Sequence, residues 1–131
     1  MILNNLYFCL KSYYGMKEIE QIYFNDFGVT FYWKKNEKVL KDRIQIVFKE
    51  TGFYFSIPEI RQFCGIVNEM SSRSCSEFSM RNKCHKFLLK TPLNEIDLAV
   101  NQSELSNIKD LLEGTLFNIE LFDYINDVCK N

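Results

Sequence analysis

Two polar caps, 45 residues apart, constrain the fold of this chain more than any other feature. Ser56-Ile57-Pro58-Glu59 and Asn101-Gln102-Ser103-Glu104 each place a cap residue three positions before a glutamate. In such a box the cap side chain accepts from the N–H three residues on, and the glutamate reaches back to the cap's own N–H. Each box therefore predicts a helix start. Pro58 fits there, because first-turn N–H groups have no intrahelical partner. The apolar phase behind the caps also agrees. Ile60, Phe63 and Ile66 recur as Leu105, Ile108 and Leu111 at the same 45-residue offset.

Strand-like pairs precede both caps. Ile44-Gln45-Ile46-Val47-Phe48 turns through Lys49-Glu50-Thr51-Gly52 into Phe53-Tyr54-Phe55. His85-Lys86-Phe87-Leu88-Leu89-Lys90 turns through Thr91-Pro92-Leu93-Asn94 into the alternating Glu95-Ile96-Asp97-Leu98-Ala99-Val100. A further hairpin leads the chain, from Glu18-Ile19-Glu20-Gln21-Ile22-Tyr23-Phe24 to Val29-Thr30-Phe31-Tyr32-Trp33. Its turn is Asn25-Asp26-Phe27-Gly28, where Asn and Asp favour turns and Gly supplies positive φ. The expected architecture is α+β: a mostly antiparallel sheet of about six strands with two or three helices on one face. Two strand–strand–helix units would be fused after the leading hairpin. Helices are expected over 57–70, 102–113 and 116–129, with Gly114 separating the last two, since Gly costs about 1 kcal/mol inside a helix. The Ser-rich stretch 71–83 reads as an exposed loop between the halves.

The string Gly52-Phe53-Tyr54-Phe55-Ser56-Ile57-Pro58-Glu59-Ile60 resembles a pattern of small uncharacterised bacterial proteins built from strand–strand–helix units. The resemblance covers about a third of the chain. It implies a strand that ends in a polar cap opening a helix, and it implies no activity. Some of those proteins carry a Cys-x-x-Cys pair, which this chain lacks, so no metal site carries over.

The 131 residues suit one core, and 12 Phe with 7 Tyr supply ample apolar surface for it. Residues 16–131 are read as a single domain, with residues 1–15 an N-terminal extension and Met16 an alternative start. No run of about 18 apolar residues predicts a membrane span. The opening residues lack a basic n-region and a small-residue cleavage site, so they do not read as a signal peptide. Five cysteines, an odd number without regular spacing, favour a reduced, cytoplasmic protein.

Charge is divided along the chain. Residues 1–92 hold 14 Lys/Arg against 9 Asp/Glu, a net of +5. Residues 93–131 hold 2 against 8, a net of −6. Such asymmetry points to contact surfaces, within the fold, with another copy or with a partner. Phe31-Tyr32-Trp33-Lys34-Lys35, followed by Lys38, Lys41 and Arg43, interleaves aromatic and basic residues.

Sites of catalysis and metal binding find little support. Cys75, Cys84 and His85 share one stretch, with Cys64 as a fourth candidate, but structural zinc usually takes paired short spacings. Cys-His chemistry would have to use His85, the only histidine, with no local signature around any cysteine. Glu95 with Asp97, and Asp123 with Asp127, form same-face carboxylate pairs that read as solvated surface. No glycine-rich phosphate loop is present. The expectation is a non-catalytic interaction protein, an adaptor or accessory subunit, with no metal and no cofactor. Its partner would be another protein or a second copy, and no membrane. Tyr32, Trp33, Lys34, Lys35, Lys38, Arg73 and Arg81 are the candidate partner-binding residues, with Tyr32 and Trp33 as anchors. The acidic last helix is a further contact element. The alternative is a nucleic-acid-binding accessory factor, in which the same hairpin stacks bases and meets phosphates.

Overall fold

A computed structural model describes residues 18–77 and 85–129. The chain runs β1 (Glu18–Phe24), β2 (Gly28–Lys35), β3 (Lys38–Val39), β4 (Ile44–Phe48), β5 (Thr51–Phe55), α1 (Ile57–Glu77), β6 (Phe87–Lys90), β7 (Asp97–Val100) and α2 (Gln102–Cys129). The class is α+β, as the capped pattern requires. The expectations for residues 1–15, Arg81 and Cys84 fall outside the described residues.

Alternation builds the main sheet. Ile44, Ile46 and Phe48 of β4, and Phe53 and Phe55 of β5, are buried on one face. Antiparallel pairing gives a five-stranded sheet in the order β1-β2-β4-β5, with β3 on β2. Asn36 and Glu37, both at positive φ, form the two-residue connection from β2 to β3. The core joins β1, β4 and β5 to both helices and to β6 and β7 through Leu89 and Val100. The rings of Phe53 and Phe55 stack at 5.0 Å, and Phe63 of α1 meets Phe55 edge-on at 6.1 Å.

Both caps form. Ser56 N donates to Glu59 Oε1 at 3.1 Å, and Asn101 N donates to Glu104 Oε1 at 3.0 Å. The return bonds run from Glu59 N to Ser56 Oγ and from Glu104 N to Asn101 Oδ1. The Ser56 backbone and side chain, with a smaller contribution from Arg43, hold the Glu59 carboxyl below its ordinary value. Glu104 is buried and forms ion pairs with Lys49 of the β4–β5 turn and with Lys86.

Four expectations need correction. First, the strands do not share one sheet: β6 and β7 pair only with each other, as a separate two-stranded sheet. The 21 residues of α1 advance the chain by roughly 31 Å beyond β5, and the next hairpin packs on the helices instead of extending the sheet. Second, residues 71–77 are helical, not loop. Ser72 Oγ bonds back to the Asn68 carbonyl, and Arg73 pairs with Glu69 at 2.8 Å, one turn away. Third, there are two helices among the described residues, not three, because α2 runs unbroken through Gly114. The ring of Tyr23 lies against Gly114, where a Cβ would collide with it. The glycine is a seat for an aromatic ring, and α2 continues because its packing outweighs the propensity loss. Fourth, Glu95 lies in the turn before β7, so it does not share a strand face with Asp97, which pairs instead with Lys90 at 2.9 Å.

Candidate functional site

The site is built on α2, whose two ends meet different surroundings. From Gln102 through Ile119 the helix packs Leu105, Ile108, Leu111, Leu112, Thr115 and Ile119 into the core. These residues recur at three- and four-residue intervals and form one face. Polar contacts fasten the same stretch to the leading hairpin. Thr30 and Thr115 hydroxyls bond at 2.7 Å in a buried pair, and Thr115 Oγ1 also donates to the Leu111 carbonyl. Asn118 Nδ2 donates to the Ile22 carbonyl at 2.7 Å, where β1 bulges between Gln21 and Tyr23. Tyr23 Oη and Asn25 Nδ2 both donate to Asp110 Oδ2. At Gly28 an added Cβ would come within 2.8 Å of Phe48 Cβ and 3.0 Å of Leu111 Cδ2, so the hairpin backbone approaches α2 closely.

Beyond Ile119 the helix continues with every residue from 120 to 129 exposed. Its outward side is nevertheless apolar. Phe117 is 63% exposed, Tyr124 66% and Val128 54%, and Leu121 and Ile125 are exposed between them. At 100° per residue, 117, 121, 124, 125 and 128 fall within one stripe, on the side opposite Ile108, Leu112, Thr115 and Ile119. Glu113, Glu120 and Asp127 follow one another at seven-residue spacing along a flank of that stripe. Residues 110–129 contain five acidic residues and no Lys or Arg. Glu120 has Arg61 of α1 at 3.9 Å, with both side chains more than 60% exposed. Such a pair contributes little in water.

The inward side of this end covers a cleft of about 390 Å³. Ile22, Ile57, Ile119 and Phe122 supply its apolar walls, and Glu20, Tyr32, Lys41 and Asp123 bring the charged and phenolic groups. Burial pushes the Tyr32 phenol above its ordinary value, and the carboxylates of Asp123 and Glu20 push the same way. Tyr32 thus faces the helix end, across the cleft from the acidic segment.

The residues read from the hairpin divide between two faces of β2. Tyr32 is on the helix side with Thr30, while Trp33 lies on the other with Phe31, since neighbours alternate. Trp33 meets the buried Phe31 ring edge-on at 5.1 Å and donates from Nε1 to Gln45 Oε1 at 3.3 Å. Lys34 is half-buried beyond them. Lys35 and Lys38 are exposed and directly opposed in the β2–β3 register. Arg73 is on α1, paired with Glu69.

Cys64 is buried in the core, where burial and the Glu113 carboxylate raise its thiol, while His85 is exposed. Among the described residues no group of three His, Cys, Asp or Glu is arranged to hold a metal ion. Among them, too, no helix is long and apolar enough to cross a membrane. No protein-family model matches the chain, and no curated protein or solved structure matches it.

Proposed function

We propose that the chain is a non-catalytic cytoplasmic protein–protein interaction module, an adaptor or accessory subunit, that docks a helix of another protein on the outward stripe of α2. One observation carries the reading: Phe117, Leu121, Tyr124, Ile125 and Val128 stand exposed together on the last turns of one helix. Scattered exposed apolar residues are ordinary, but a contiguous set marks an interaction surface. Aromatic side chains are the usual anchors of such surfaces, and Phe117 and Tyr124 occupy that role here. Helix-in-groove recognition reads anchors at this spacing. The exposed free thiol of Cys129 fits a reducing compartment.

The test is affinity purification of the full chain from its native cells at low salt, followed by native mass spectrometry. A stoichiometric protein partner is expected, and it is lost from the L121S/Y124S variant while circular dichroism stays unchanged. Two results would overturn the reading: a partner retained by that variant, or co-purified nucleic acid that leaves at higher salt.

A further inference from the structure

The stripe on α2 has a direction of charge as well as an apolar surface. Phe117, Leu121, Tyr124 and Val128 are spaced four, three and four apart, the pattern of the a and d seam of a coiled coil. With that seam as reference, Glu113, Glu120 and Asp127 all fall on the g position, the flank that pairs with the opposing helix. The corresponding e positions are Asn118 and Ile125, so the helix offers acid on one flank and no cation on the other. A second copy is poorly matched to this surface. Packed antiparallel, its g positions would set acid against acid. Packed parallel, the acids would face Asn118 and Ile125. Nor does the charge suit an anionic lipid surface, which attracts helices whose polar face is basic.

Resting on the docking reading above, we infer that the occupant is a basic amphipathic helix of another protein. It lies lengthwise on residues 117–128 with Lys or Arg beside Glu120 and Asp127. Apolar packing supplies affinity, and the acidic flank selects partners and sets register, as charges at e and g positions do. Arg61 of α1 stands 3.9 Å from Glu120, so a partner's cation there would share that carboxylate with it, while Asp127 has no ion pair of its own among the described residues.

A display library of amphipathic helices, roughly three heptads long, tests this when panned on the full chain. Its apolar seam is fixed and its flanking positions are random. Enrichment of Lys and Arg at the flanks is expected. A selected peptide should weaken about fivefold on E120K/D127K, the size expected for two exposed pairs, and that difference should shrink at high salt. It should not bind L121S/Y124S. Neutral or acidic flanks that still require Leu121 and Tyr124 would overturn the basic partner and leave the docking face standing. Peptides that bind L121S/Y124S equally well, or an absence of binders, would overturn both. A dimer by light scattering that L121S/Y124S dissolves would make a second copy the occupant. Sedimentation with phosphatidylserine vesicles that the same variant abolishes would make it a lipid surface. Either result overturns the inference.

Discussion

The two ends of α2 carry similar apolar content and have opposite fates. In the first, Leu105, Ile108, Leu111 and Leu112 are almost fully buried against the sheet and α1. In the second, Leu121, Tyr124, Ile125 and Val128 are 40–66% exposed. Apolar residues do not decide their own burial. An opposing surface must exist within the chain, and past Ile119 the outward side of α2 has none among the described residues. In the proposed function, stability and recognition are thereby separated along a single helix, the packed end maintaining the fold and the exposed end serving association.

The widest separation between the ends should appear in their response to truncation. Leu112→Ala is expected to cost about 2–5 kcal/mol, the range for emptying a packed core position. Leu121→Ala should stay within about 0.5 kcal/mol. Urea denaturation of both variants measures the contrast, and equal losses would mean that the helix end is packed after all. A smaller effect sharpens the boundary between the ends. Gly114→Ala gains about 1 kcal/mol of helix propensity. It also drives a methyl into the Tyr23 ring, and the net is an expected loss of about 1–3 kcal/mol. In a Tyr23→Ala background the same change should stabilise, because the collision is gone. A loss of equal size in both backgrounds would remove Tyr23 as its cause.

The smallest effect concerns the inward side of the exposed end. The Tyr32 phenol is raised above its ordinary value, chiefly by burial and then by Asp123 and Glu20. A raised phenol pKa favours the folded state below the unfolded value of about 10. That contribution is lost as pH rises from there through the folded pKa. Asp123→Asn should lower the Tyr32 titration part of the way back and leave it raised, since burial is the larger cause. Difference absorbance titration against Tyr32→Phe isolates this one phenol. An unmoved titration would detach the helix end from the cleft.

Local chemistry was the legible part of the fold. Ser56 with Glu59, and Asn101 with Glu104, announce their helices because a capping box is complete within four residues. Asn25 announces its turn for the same reason, its Oδ1 accepting from Phe27 N and Gly28 N at 2.9 Å. The division into two sheets was not legible, because alternation tells a strand which face is inward and not which strand lies beside it. Gly114 reads as a break until the Tyr23 ring, 91 positions earlier, is placed on it. Thr30 and Thr115 carry no signal at all until the helix crosses the hairpin. At the site, the hairpin pointed to Tyr32 and Trp33 as a pair, yet the pleat sends them to opposite faces. The last helix reads from sequence as an acidic contact element, but its apolar stripe from Phe117 to Val128 is not legible as a surface, because exposed and buried apolar faces have the same period.

The contacts that bind the leading hairpin to α2 also set a schedule for synthesis. Tyr23 and Asp110 are 87 positions apart, and Ile22 and Asn118 are 96 apart. When β1 and β2 leave the ribosome, the helix that covers their inner face has not been made. Pairings this distant slow folding, because a long loop must close before any contact rewards it. The nascent sheet therefore carries Ile22, Ile44, Ile46 and Phe48 without their α2 cover until the final quarter of the chain arrives, and a chain arrested before Gln102 is expected to be aggregation-prone through that face.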